Sequence, residues 1–296
     1  MNYRHAYHAG NFADVLKHAV LVACLEHLKK KPAPFRVVDT HAGAGVYRLD
    51  ARETEATGEW RDGIKRLFDA TGGVAKGPYA KLAPYLDEVV RVNSGAGSDL
   101  TQYPGSPALI ANLLRAGDTL IACELHPDDC KTLIRHFATD KSVKVLALDG
   151  WTALKSALPP PEKRGLVLID PPFEEPGEFH RMTDGLKNGL DRFKSGIFVL
   201  WYPIKDVKPV QRFQRAIAAL AGHARVETVL AIDLLVRAPR HPEVLNGCGV
   251  LVVNPPHTLE RDMAALAAPL ARLLQQGPDP QMDVRRLVLN ADKSER

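Results

Sequence analysis

The chain has 296 residues, 45% hydrophobic, 25% charged and 6% aromatic, a globular composition that leaves no room for a mainly disordered or fibrous protein and fits one large or two modest domains. Its longest unbroken apolar run, Ala19 to Leu25, is far short of the roughly 18 residues of a membrane span, and the first fifteen residues lack a leader's apolar core, so no membrane association and a cytoplasmic location are expected. Thirty-nine Lys and Arg against 35 Asp and Glu leave +4, a mild bias toward a polyanionic partner.

In chain order, Asn11 to Lys31 reads as a helix, with Asn11 as N-cap, Asp14 in the first turn and three lysines before Pro32 at the negative end of the dipole. Short β-branched runs then alternate with helical periods: Phe35 to Asp39, Thr119 to Glu124, Val143 to Leu148, Leu166 to Asp170 and Gly196 to Trp201. Such βα repetition predicts a parallel sheet with helices on both faces. Two late runs, Ala224 to Leu235 and Gly249 to Val253, flank a charged, proline-bearing turn and read as an antiparallel pair closing the sheet edge. Residues 51–103 are too long for one βα connection and hold helical patches at Trp60 to Phe68 and Tyr79 to Val92, so they read as a small inserted helical subdomain within a domain of residues 1–50 and 104–296. The four cysteines, Cys24, Cys123, Cys130 and Cys248, have no C-x-x-C or zinc spacing and read as buried reduced thiols.

The strand ends carry the chemistry. After the first strand, Asp39-Thr40-His41-Ala42-Gly43-Ala44-Gly45 forms a glycine turn that lets backbone amides approach a ligand, yet it lacks both the full G-x-G-x-x-G of a dinucleotide fold and the Lys-Ser/Thr ending of a phosphate loop. Glu124 ends the next strand, where a carboxylate can accept both hydroxyls of a ribose. Asp149-Gly150 ends the third, with an acceptor for an adenine amino group and a glycine to admit the ring. Each acid alone is equally well a solvated strand end; three in succession outline a nucleoside-shaped site. The sharpest signal is Asp170-Pro171-Pro172-Phe173, a rigid turn in which the Asp170 carboxylate and the Pro171 carbonyl are paired acceptors for the two N–H groups of an exocyclic amine, beside the Phe173 ring that stacks on the base. The competing reading, a structural Pro-Pro turn, has a precedent in Asn254-Pro255-Pro256 of the same chain, which lacks the acid and the aromatic.

This order of glycine turn, strand-end acid, Asp-Gly and Asp-Pro-Pro-Phe resembles the class I S-adenosylmethionine-dependent methyltransferases that act on an amino nitrogen. With Tyr3-Arg4-His5-Ala6-Tyr7-His8-Ala9-Gly10-Asn11, Ala13-Asp14-Val15-Leu16-Lys17-His18, Tyr103-Pro104-Gly105-Ser106-Pro107, Glu124-Leu125-His126-Pro127 and Leu200-Trp201-Tyr202-Pro203, the chain closely resembles the ribosomal RNA large subunit methyltransferase J family. The resemblance runs from residue 1 to about Pro256 and implies an α/β, class I Rossmann-like fold with a mostly parallel seven-stranded sheet. It implies methyl transfer from S-adenosyl-L-methionine to N6 of an adenine in large-subunit (23S) ribosomal RNA, with S-adenosyl-L-homocysteine as product. Matching positions make His18, His41, Ser106, Glu124, Asp149, Gly150 and Asp170 cofactor contacts, Asp170 the catalytic acceptor, and Tyr3, Pro171 and Phe173 substrate contacts. Ser106 also makes sense on its own, since a helix N-terminus offers free amides to a carboxylate. Relatives with Asp-Pro-Pro-Tyr carry a phenolic hydroxyl that Phe173 lacks.

His5, His8 and His18 have no cysteine or carboxylate at ligand spacing, and methyl transfer from a sulfonium needs no Lewis acid, so no metal is expected. Lys205, Lys208, Arg212 and Arg215, the last three at helical spacing, read equally as a phosphate-binding face or a solvated one. No obligate protein partner is evident, and a monomer is expected. The alternatives are an adenine-N6 methyltransferase of DNA, because the Asp-Pro-Pro turn reads the amine and not the sugar, and a nucleic-acid-binding protein without turnover.

Overall fold

The structure is a computed structural model that describes residues 4–94 and 99–288. A one-turn 3₁₀ helix, His5–Tyr7, leads into α1 (Phe12–Lys29), which Asn11 caps by accepting from the amides of Ala13 and Asp14. Next come β1 (Arg36–Asp39) and β2 (Val46–Arg48), then α2 (Arg52–Thr57), α3 (Ile64–Thr71) and α4 (Ala83–Val92), which occupy most of the stretch before β3 (Gln102–Pro104). β3 pairs antiparallel with β2 in a two-stranded ribbon at the foot of this stretch. The remaining elements alternate: α5 (Ser106–Leu113), β4 (Thr119–Cys123), α6 (Pro127–His136), β5 (Val143–Leu146), α7 (Gly150–Ser156), β6 (Gly165–Ile169), α8 (Glu178–Arg192), β7 (Ile197–Ile204), α9 (Val207–His223), β8 (Val229–Leu235), β9 (Gly247–Val253), α10 (Leu259–Leu273) and β10 (Gln281–Arg286).

The main sheet has the order β10-β8-β9-β7-β6-β1-β4-β5, parallel from β7 to β5 and antiparallel on the other side. Seven strands were expected, and the sheet has eight among the described residues. The eighth, β10, pairs antiparallel with β8 and lies in the last forty residues, where Asp283, Arg285 and Arg286 alternate with half-buried Met282 and Val284. That charged alternation is how a solvated edge strand reads, so its signal is easily taken for a polar tail. The expected strand from Ala224 starts five residues late because α9 continues to His223 and Arg225 turns through a left-handed φ of 55°. β7 outruns its expected end and includes Pro203; β6 has ended by then, so β7 has a neighbour on one side only and a missing amide is tolerated.

β6 and β9 are buried along their whole length, as a sheet covered on both faces requires. α1 is enclosed on nearly all sides, against β9, α4, α5 and α10, and Ile64, Leu67, Tyr85, Leu86 and Val89 from the stretch between β2 and β3 join the same core. A helix so enclosed can keep polar side chains only if they are paired, and Asp14, Lys17 and His18 are all buried. All four cysteines are buried and free, and burial pushes the Cys123 thiol up to about 12.

Candidate active site

Most of the expected site residues lie at the carboxyl ends of β1, β4, β5 and β6. Past β1, the chain turns through Gly43 and Gly45 with φ of 66° and 94°, values that favour glycine. A Cβ at Gly43 would stand 2.1 Å from the Tyr47 hydroxyl. The Gly43 amide donates to Oε2 of Glu124 at 2.7 Å, and the His126 amide donates to Oε1 at 2.6 Å, so Glu124 is clamped between the two turns. Burial pushes its carboxyl up, against these two backbone donors.

Ser106 opens α5, but its hydroxyl is committed to Oδ2 of Asp39 at 2.7 Å. Asp39 is fully buried, and desolvation raises its carboxyl to about 7, with the charge of Asp170 adding to the rise and the Ser106 hydrogen bond opposing it. Asp149 caps α7 by accepting from the amide and hydroxyl of Thr152. Gly150 is required by packing: a Cβ there would lie 2.3 Å from the carbonyl oxygen of Thr40, so the close approach is of β1's exit to α7. His41 stands edge-on to Trp151 at 5.4 Å, with burial lowering its pKa. Thr40, His41, Glu124, Asp149, Gly150 and Trp151 together line a groove of about 430 Å³.

Asp170, one residue beyond β6, meets Lys17 of α1: Nζ lies 2.5 Å from Oδ2 of Asp170 and 2.7 Å from Oδ1 of Asp14. His5 approaches the other Asp14 oxygen at 3.0 Å, and the Gly10 amide donates to that oxygen at 2.8 Å. Burial alone would lower the Lys17 ammonium, but the Asp14 and Asp170 carboxylates outweigh it and hold its pKa well above the usual lysine value. Burial likewise disfavours the Asp14 carboxylate, and His5 and Lys17 overcome it, holding its pKa well below the usual range. Asp170 borders two cavities. One is a narrow cleft of about 50 Å³ with Gly43, Ser106 and Glu124; the other, of about 440 Å³, has Phe173, Phe179 and Trp201 on its wall. Phe173 takes a left-handed φ of 53° and packs edge-on against Phe179 and Trp201, with ring centroids 5.1 and 6.0 Å away. Pro172, not Pro171, forms the wall of both cavities, and Pro171 is buried behind it.

His18 stands apart from the other expected contacts. It lines neither cavity and faces a neighbouring side of α1, where Nδ1 pairs with the Tyr103 hydroxyl at 2.7 Å and that hydroxyl meets Tyr85 at 2.9 Å. Its other nitrogen is buried without a partner, and desolvation lowers the imidazole to about 3. Tyr3 lies outside the described residues. Lys17 and Tyr47 are site features that motif reasoning passed over; the signal was an Asp14/Lys17 pair at i,i+3 inside a mostly apolar helix, which reads as dipole and solubility chemistry until the helix is known to be enclosed. Among the described residues, no group of three or more His, Cys, Asp or Glu is arranged to hold a metal ion, and no helix is long and apolar enough to cross a membrane.

Residues 32–284 match the family described as ribosomal RNA large subunit methyltransferase D, RlmJ. The ribosomal RNA large subunit methyltransferase J of Haemophilus influenzae is 39% identical over 274 residues, 93% of this chain and 94% of that protein. Its namesake in Escherichia coli K12 is 38% identical over 263 residues, 89% and 90% of the two chains. A crystal structure of a Legionella pneumophila protein, 30% identical, superposes with a TM-score of 0.83 over 94% of this chain and 98% of the other. The chain therefore belongs to the ribosomal RNA large subunit methyltransferase J family.

Proposed function

We propose that the protein transfers a methyl group from S-adenosylmethionine to N6 of an adenine in large-subunit ribosomal RNA, with residues 1–50 and 104–296 as the methyltransferase unit and 51–103 as an insertion. The observation that carries this reading is the position of Asp170, which borders both the cleft of strand-end acids and the aromatic cavity. The residues there fit S-adenosylmethionine: Glu124, which lines the cleft, and Asp149, which lines the adjoining 430 Å³ groove with Glu124 and Trp151, are acceptors on neighbouring strand ends for ribose hydroxyls and an adenine amine. Bound there, the cofactor supplies an electrophilic methyl group on a sulfonium.

The protein's own part is positioning and charge. Lys17 occupies Oδ2 of Asp170 and leaves Oδ1 to accept from the target amine, and a hydrogen bond to a carboxylate stabilises the positive charge that grows on an alkylated nitrogen. Phe173 and Trp201 present aromatic faces at the cavity wall, suited to an unstacked base turned out of its strand. Holding the amine in line with the methyl donor supplies most of the acceleration, because the reaction needs little proton chemistry before the nitrogen attacks. Phe173 keeps the stacking surface while lacking a hydroxyl, so nothing in this reading depends on a phenol.

The test is transfer of labelled methyl to total ribosomal RNA, followed by digestion to nucleosides. Label in N6-methyladenosine from large-subunit RNA is expected, together with its loss in a folded Asp170→Ala variant that still binds S-adenosylmethionine. Label in another nucleoside, or in DNA and not RNA, overturns the proposal, as does near wild-type turnover by Asp170→Ala.

A further inference from the structure

Resting on the proposed RNA methylation, we infer that the substrate strand leaves the acceptor cavity along the outer face of α9, with its phosphates on Lys208, Arg212 and Arg215. The path starts at Lys205, which shares the wall of the 440 Å³ cavity with Asp170 and Phe173. α9 begins two residues later, at the carboxyl end of β7, and runs back along the sheet. Lys208, Arg212 and Arg215 recur at i, i+4 and i+7, so they share one face and span about 10 Å of helix. All three are exposed, and none forms an ion pair with a described residue, whereas the exposed Arg48, Arg61 and Arg240 each pair with a carboxylate.

Two further features set this face apart from an ordinary solvated one. α9 contains no acidic residue at all, so three cations stand on it without the i,i+4 partners that exposed helices usually supply, such as Lys65–Asp69 on α3 and Lys187–Asp191 on α8. The face also joins two depressions. Pro209 lies on the acceptor cavity, while Val207, Gln211 and Arg215 line a groove of about 580 Å³ that continues to β8 and β10. A ridge of unpaired cations between a base-sized cavity and an open groove is the arrangement expected for a single strand tracked by its backbone. A second unpaired basic group, Lys163, Arg192, Lys194 and Arg225, lines a depression before β6, β7 and β8, at the opposite end of the strands from Asp170. It has similar charge and the wrong place, which makes it the natural control.

For single strands, each phosphate contact contributes about 0.7 to the slope of log affinity against log salt. The triple variant Lys208→Gln/Arg212→Gln/Arg215→Gln is therefore expected to lower that slope by about 2 and to weaken binding of a large-subunit rRNA transcript about a hundredfold at 0.1 M salt. Its KM for RNA should rise accordingly, with kcat at saturating RNA and the dissociation constant for S-adenosylmethionine within about twofold of wild type. The control, Arg192→Gln/Lys194→Gln/Arg225→Gln, removes the same charge and is expected to change RNA affinity less than threefold. Should the α9 triple fail to fold, the single variants Arg212→Gln and Arg215→Gln are each expected to lose about fivefold. Wild-type-like RNA affinity in folded α9 variants, or equal losses in the two triples, overturns the inference while leaving the proposed reaction standing. A wild-type protein that neither retains nor methylates the transcript overturns both.

Discussion

Replacing Lys17 by methionine tests the buried charge network directly. Methionine fills much the same volume but removes the cation that bridges Asp14 and Asp170, whose side chains are 2% and 12% exposed. Breaking a buried pair from one side costs about 3–5 kcal/mol, because an uncompensated charge stays in a poorly solvated place. Asp14 keeps His5 and the Gly10 amide, so most of the penalty falls on Asp170. At about 2 °C per kcal/mol for a chain of this size, the variant should melt roughly 6–10 °C below wild type at pH 7.5. The deficit should shrink in acid. Asp14 is held well below its usual range, so its stabilising contribution is present above about pH 4 and fades as pH falls through the folded value, which takes away what the lysine protected. Lys17 itself is raised, so its contribution is complete below its ordinary value and fades only in strong alkali, outside the assay. Calorimetric melting from pH 3 to pH 8, with single-turnover methylation at pH 7.5 on the same samples, measures both arms. A Lys17→Met protein within 1 kcal/mol of wild type at pH 7.5 would refute the view that this network is an uncompensated charge cluster without its lysine.

Glu124→Gln puts an amide group against one of two backbone N–H donors that now point at carboxylate oxygens, so S-adenosylmethionine should bind about tenfold more weakly in a calorimetric titration while RNA affinity holds; an unchanged constant would reduce Glu124 to a strand-end acid. Asp39→Asn should flatten a pH dependence. The Asp39 carboxyl is raised to about 7, so the folded state holds its proton more tightly and wild type loses stability as pH climbs from about 4 to 7. Urea unfolding should show the variant gaining about 3 kcal/mol on wild type between pH 5 and pH 8, and a constant difference would count against a buried, reluctantly ionised Asp39. Gly150→Ala forces β1's exit away from α7 and should cost about 1–3 kcal/mol by the same unfolding assay, with cofactor affinity falling alongside.

What the sequence made legible follows from burial. β6 lies between β1 and β7 and is covered on both faces, so Leu166 to Ile169 is continuously apolar and the first polar residue, Asp170, marks the strand's carboxyl end. The same logic located β1 with Asp39 and β4 with Glu124, and the glycine turn between them. β10 escaped notice because an edge strand needs one apolar face only and carries charge on the other. Pro171 and Pro172 were separable only in three dimensions, since either of two adjacent prolines can form the wall beside the acid.

The strand-end acids show where sequence reasoning stops. Asp39, Glu124 and Asp170 all stand at the carboxyl ends of neighbouring strands, Glu124 and Asp170 two residues beyond the level of Asp39, yet three different surroundings give them three different tasks. Asp39 is fully buried beside the charge of Asp170 and takes its side-chain hydrogen bond from the Ser106 hydroxyl, so its carboxyl is raised to about 7 and it serves α5. Glu124 accepts two backbone amides and ties the glycine turn to the next strand's exit. Asp170 alone is met by a buried lysine, delivered from 153 residues upstream because α1 threads the core with that turn facing β6. The partner that distinguishes the acceptor is thus supplied by helix packing, a property of the whole fold. A motif names the acid, and the geometry of α1 decides which acid meets a buried lysine at the mouth of the cavity.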